Sequence, residues 1–234
     1  MGKLKNYKRV KIHSPIYFEY LNENGAMKKS AIALAMFFGL TAASQASSVA
    51  GDAEAGKAKS ATCAACHSVD GNSVIPANPK LAGQSAEYLY KQLTEFKSAA
   101  TGGEGRANAI MGGMVATLSD QDMKDLAVYF SSQETTPGST PEDMIAKAQK
   151  LYRAGDDSRG LTACTACHLA DGSGMPLAGF PKLSGQNQAY VEAQLKAFRS
   201  GQRNNDLNGM MQDIAAKLTD EDIKLLSNYV SGLH

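Results

Sequence analysis

Most of this chain is written twice. "NPKLAGQSAEYLYKQLTEFKSA" (78–99) is answered by "FPKLSGQNQAYVEAQLKAFRSG" (180–201), and "IMGGMVATLSDQDMKDLAVYFSS" (110–132) by "MMQDIAAKLTDEDIKLLSNYVSG" (210–232). "GKAKSATCAACHSVDG" (56–71) likewise stands beside "GDDSRGLTACTACHLADG" (155–172), and single-residue adjustments separate the three offsets of 102, 100 and 101. A stacked solenoid needs three or more shorter units. Two copies of about 90 residues instead predict two similar domains, 51–133 and 141–234. "SSQETTPGSTP" (131–141), rich in turn formers, supplies a linker at 134–140.

Each copy reads as helical. Ser119 with Asp122, and Thr219 with Asp222, form capping-box starts in which a short acid takes the Glu or Gln place. Met123, Leu126, Ala127 and Phe130 then recur at helical spacing, as do Ile223, Leu226 and Val230. A second helix per copy carries Tyr88, Leu89, Gln92, Leu93 and Phe96, mirrored by Tyr190, Val191, Gln194, Leu195 and Phe198. A third, from about Asp52 or Pro141, leads into each cysteine unit. Alternating strand patterns are essentially absent, so the expected fold is all-α, as two tandem domains. Each is small and carries long loops such as 100–118, so a bound group is expected to fill part of its interior.

All four cysteines fall in two Cys-x-x-Cys-His units, Cys63–His67 and Cys164–His168. A thioredoxin-like redox pair would need a βαβ setting, which is missing. Zinc would need a fourth ligand near each unit. Two thiols three apart on a helical turn can instead each add to one vinyl group of a haem, leaving the adjacent His beneath the iron. The reading is two covalently bound haem c groups, on Cys63 and Cys66 and on Cys164 and Cys167, with His67 and His168 as iron ligands.

The second axial ligand follows by elimination. The other histidines are His13, which precedes the leader described below, and His234, the terminal residue. Methionine is the usual alternative. Met111, Met114, Met123, Met210 and Met211 lie downstream of the cysteine units. Setting Leu118 on Leu218 pairs Met111 with Met211, Met114 with Ile214, Met210 with Ile110 and Met123 with Ile223. Only Met111 and Met211 are methionine in both copies, and they are the expected ligands. A ligating His usually donates its other ring nitrogen to a carbonyl. Pro79 and Pro181 are the candidates, although "PKL" could equally serve only to turn the chain. Tyr88, Tyr190, Phe96 and Phe198 are expected to pack the haem or the core.

Compartment comes from the leader. Lys28-Lys29, the apolar run "AIALAMFFGL" (31–40) and the small residues of "TAASQASSVA" (41–50) describe a secretory signal peptide over 27–50. Ten apolar residues are too few to span a bilayer core of roughly 30 Å. Ser44-Gln45-Ala46 and Ser48-Val49-Ala50 both offer a cleavage site. Residues 1–26 read as an upstream extension from a misassigned start. Without residues 1–46 the chain keeps 17 Lys and Arg against 21 Asp and Glu. That mildly acidic balance excludes a nucleic-acid partner, and export points to the periplasm.

The paired Cys-x-x-Cys-His units, each followed by Pro-Lys-Leu-x-Gly-Gln, then Met, then Leu-[Ser/Thr]-Asp-x-Asp, closely resemble the dihaem cytochrome c4 family from Gly51 to His234. The resemblance implies two class I cytochrome c domains about a pseudo-twofold axis, with haem propionates near each other across the interface. It also implies a high-potential periplasmic electron carrier, loosely associated with the membrane, whose partners are redox proteins: a respiratory donor complex and a terminal oxidase. With both irons saturated by His and Met, no small-molecule substrate is expected and the protein is not an enzyme. Two other readings compete: the dihaem subunit of a flavin dehydrogenase such as sulfide dehydrogenase, and a dihaem peroxidase, which would need one open iron.

Overall fold

The computed structural model describes residues 48–234, so the expected extension and all but the last three residues of the expected leader lie outside the described residues. The first repeat folds as α1 (Ala53–Lys59), α2 (Ala61–His67), α3 (Ala86–Ala100), α4 (Ala109–Val115) and α5 (Asp120–Ser131). The second gives α6 (Glu142–Ala154), α7 (Thr165–His168), α8 (Gln188–Arg199), α9 (Met210–Ala216) and α10 (Asp220–Gly232). Among the described residues the only extended pairings are two isolated bridges, Asp156 with Leu161 and Met175 with Phe180. None of the described helices is long and apolar enough to cross a membrane.

Both expected capping boxes form. The Ser119 N–H donates to Asp122 Oδ2 at 2.8 Å while the Ser119 side chain accepts from the Asp122 N–H, and Thr219 with Asp222 repeats the pattern. These caps satisfy orphan N–H groups at the start of α5 and α10. Each helix then buries its apolar stripe in a separate core. Leu89, Leu126, Tyr129 and Phe130 make the first, and Tyr152, Val191, Ile223, Leu226 and Val230 the second. The result is the all-α, two-domain architecture read from the repeat, the described residues 48–234 falling within one compact unit.

The copies differ where the repeat seemed plain. α1 passes into α2 through Ser60 alone, whereas α6 ends at Gly155 and a loop with a 3-10 turn at Asp157–Arg159 precedes α7. Gly56 and Gly155, which open the two segments set side by side, therefore do different things. Gly56 is buried inside α1 against α5. Gly155 has φ +66° and stops α6. A loop insertion is tolerated because lengthening a surface connection costs little closure entropy.

The linker is strapped down at both ends. The Thr136 N–H donates to Asn72 Oδ1 at 2.8 Å in the first domain, and the Gly138 N–H to the Ser231 carbonyl at 2.9 Å in the second.

Candidate functional site

Cys63, Cys66 and His67 lie on α2, while Cys164 caps α7 and Cys167 and His168 lie within it. Cys63 packs against the first core and Cys164 against the second. None of the four forms a disulfide. Burial raises the pKa of the Cys63 thiol, and pushes that of Cys164 up to about 11.

The histidines are nearly enclosed, His67 being 6% exposed and His168 7%. His67 Nδ1 lies 2.9 Å from the Pro79 carbonyl and His168 Nδ1 2.8 Å from that of Pro181. A carbonyl only accepts, so the ring proton sits on Nδ1 and Nε2 keeps its lone pair for a metal. Burial also holds both imidazoles below the usual histidine pKa, which keeps them neutral. "PKL" therefore does more than turn the chain. Two thiols on one turn beside an oriented neutral imidazole are a donor set that fits a covalently held haem. Among the described residues no group of three or more Cys, His, Asp or Glu side chains is gathered for a bare ion.

Immediately after each His the backbone is strained. Ser68 has φ +66° and ψ 162°, and Leu169 φ +64° and ψ 168°, a region otherwise left to glycine. The turn is held by the Ser68 N–H on the Ala64 carbonyl at 2.9 Å. Tyr129 and Tyr152 hydroxyls donate to the carbonyls of Val69 and Leu169. Relieving roughly 1–3 kcal/mol of strain outweighs the roughly 0.5–1 kcal/mol entropic cost of glycine. Ser68→Gly is thus expected to stabilise the holoprotein by about 1 kcal/mol in thermal unfolding. An unchanged or lower Tm would mean that the turn is not strained.

Met111 sits in the first turn of α4, its N–H donating to Asn108 Oδ1 at 2.9 Å. Met211 sits in the first turn of α9, its N–H donating to Asp206 Oδ2 at 2.8 Å. Both are half-buried and, among the described residues, belong to neither apolar core. Met114 is 41% exposed, whereas its counterpart Ile214 packs on the second core.

The domains meet through two arginines and the tyrosines and glutamines that the repeat relates, Tyr88 with Tyr190 and Gln92 with Gln194. Arg106 donates across the boundary to the Tyr190 hydroxyl at 3.0 Å and Gln194 Oε1 at 2.6 Å. Arg203 donates back to the Tyr88 hydroxyl at 2.8 Å and Gln92 Oε1 at 3.2 Å. Each guanidinium also lies over a phenylalanine of its own domain, Phe96 or Phe198. Burial alone would raise the Tyr190 hydroxyl, but Arg106 and Arg203 outweigh it and hold it below the usual tyrosine range. Tyr190 packs against the second core, as expected, and the hydroxyls of Tyr88 and Tyr190 also join the domains. Gln84 and Gln186 complete the contact. The signal that finds these glutamines is their retention at matching positions in both copies, 84 with 186 and 92 with 194.

The sequence profile of the cytochrome c family matches residues 53–134 and 145–234. Cytochrome c4 of Stutzerimonas stutzeri is 48% identical over 213 residues, covering 89% of this chain and all of that protein. The crystal structure of reduced recombinant cytochrome c4 from Pseudomonas stutzeri superimposes with a TM-score of 0.77 at 49% identity, covering 79% of this chain and 100% of that one. A thiosulfate dehydrogenase electron acceptor of Thiomonas intermedia is 34% identical over 180 residues, covering 74% of this chain and 79% of that protein.

Proposed function

The chain belongs to the cytochrome c4 family and is a dihaem electron carrier, not an enzyme, with two covalently bound haem c groups; from that premise we propose the residues, compartment and partners that complete the reading. Cys63 and Cys66 hold one haem and Cys164 and Cys167 the other. His67 with Met111, and His168 with Met211, supply the axial ligands, within domains 51–133 and 141–234 joined by 134–140. Each bound haem contributes a one-electron iron couple, which methionine ligation and an apolar setting raise in potential. The chain's own part is to orient the imidazoles, exclude water and keep the two sites in fixed register.

The observation that carries this reading is the repeated frame around each histidine: a buried neutral ring, aimed by a proline carbonyl, beside two cysteines on the same turn. Export to the periplasm rests on the leader. Ser48 bonds Glu87 through its N–H at 2.8 Å and Val49 packs on the first core, which supports cleavage after Ala46 rather than Ala50.

The proposed partners are a respiratory donor complex and a terminal oxidase. Mixing the reduced holoprotein with oxidase-containing membranes should give rapid, cyanide-sensitive reoxidation. The resemblance to a thiosulfate dehydrogenase electron acceptor favours a second arrangement, in which a dehydrogenase is the donor. No reoxidation by the oxidase, together with rapid reduction by such a dehydrogenase, would replace the first arrangement with the second.

A further inference from the structure

The peptide that receives each histidine proton is gripped from the other domain. The Pro79 carbonyl accepts from His67 Nδ1, and the N–H of that same peptide unit, on Lys80, donates to Gln186 Oε1 at 2.7 Å. In mirror image the Pro181 carbonyl accepts from His168, and the Lys182 N–H donates to Gln84 Oε1 at 2.9 Å. Each glutamine returns the contact through its amide. Gln186 Nε2 donates to the Lys80 carbonyl and Gln84 Nε2 to that of Lys182, both at 2.9 Å. The amide orientation is fixed by chemistry. Gln186 Oε1 also accepts from the Asn187 N–H, and Gln84 Oε1 from the Ser85 N–H, so a flipped amide would set its NH2 against two other donors. The glutamines are only 7% and 8% exposed.

We propose that Gln84 and Gln186 are positioning residues through which each domain sets the electron-donating strength of the other domain's haem histidine. The inference rests on reading His67 and His168 as the iron ligands. A peptide whose N–H is bonded becomes a stronger acceptor at its carbonyl, because consecutive hydrogen bonds polarise one another. The stronger acceptor draws the Nδ1 proton and makes the imidazole more basic. A more basic ligand favours the oxidised iron and lowers the potential. Gln186 therefore acts on the His67 site and Gln84 on the His168 site. Seating the domains closes both chains at once, so each site senses whether the other domain is docked.

The test uses the holoprotein with Gln186→Leu, Gln186→Glu, Gln84→Leu and Gln84→Glu. It reads the Nδ1–H proton resonances of the reduced protein and the two potentials in a redox titration. Gln186→Leu should move the His67 Nδ1–H upfield and raise that site's potential, leaving the His168 resonance in place. Gln84→Leu should do the converse. The glutamate variants restore an acceptor of nearly the same size, so the corresponding Nδ1–H should return to its wild-type position or move downfield. If leucine opens the interface and the variant does not mature, the glutamate shift decides alone. Unmoved resonances, or both histidines shifting alike whichever glutamine is changed, would reduce the contact to adhesion between domains and overturn the proposal. Absence of the strongly ring-current-shifted imidazole C–H resonances of an iron-bound histidine, in the wild type as well, would instead reject the ligand reading itself.

Discussion

Met111→Ala and Met211→Ala are each expected to abolish the methionine–iron charge-transfer band of one haem in the oxidised protein and to lower that haem's potential. Axial ligands and their surroundings span roughly 0.8 V of haem potential, and a thioether favours the ferrous state, so a large fall in potential is expected. The choice of ligand rests on two independent observations. Only this pair is methionine in both copies. Each also has its N–H capped by an Asn108 or Asp206 side chain in the first turn of a short helix, half-buried but outside both cores. Met114→Ala should leave both bands intact and change stability by about 0.5 kcal/mol or less, as for an exposed site away from special features. Met210→Ala should likewise spare both bands. The four variants need only oxidised spectra and a redox titration. Loss of a band in Met114→Ala or Met210→Ala, with Met111→Ala or Met211→Ala spectrally normal, would sink the assignment.

Gly56→Ala is expected to be the most damaging small substitution in the first domain. A Cβ there would lie 2.1 Å from the Asp125 carbonyl oxygen and 2.8 Å from Tyr129 Cβ, both on α5. Neither obstacle is a flexible side-chain end, so α1 and α5 would have to part. Their separation would disturb the Asp125 carboxylate, which accepts from the Asp52 N–H at 2.9 Å and from Lys59 Nζ at 2.9 Å. Overpacking of this kind costs about 1–3 kcal/mol and occasionally more. Alanine recovers roughly 1 kcal/mol of helix propensity over glycine, so a net loss of about 2 kcal/mol is the expected reading in thermal unfolding of the holoprotein. Gly113→Ala is the control, since a Cβ there meets nothing within 4 Å. A Gly56→Ala protein as stable as Gly113→Ala would show that the helices separate freely.

Much of this was legible before any coordinates, and the reason is range. Cys63, Cys66 and His67 are held within one turn by covalent spacing alone, so two thiols beside an imidazole already specify the chemistry. The capping residues Ser119 and Thr219 and the stripes behind them depend on neighbours three or four positions away, and helices follow from those local energies. Duplication supplied a second measurement of each position, which is how Met111 and Met211 stood apart from the other methionines.

Contacts across the domain boundary are marked in the sequence only by matched glutamines. Gln84 meets Lys182 and Gln186 meets Lys80 at separations of 98 and 106 residues, and a glutamine in isolation reads as surface. Its burial becomes affordable only when a facing backbone satisfies both ends of its amide. The same holds for Arg203, 8% exposed and satisfied by Tyr88 and Gln92 of the other domain. Nor does residue identity near the cysteines record that α1 touches α5 at Gly56. The sequence by itself determined the haem-binding chemistry, the helices and the twofold plan, since these depend on residues near one another in the chain. Only the tertiary structure decided which polar side chains are buried between the domains and which domain's groups act on which histidine, because those depend on surfaces that meet after both domains have folded.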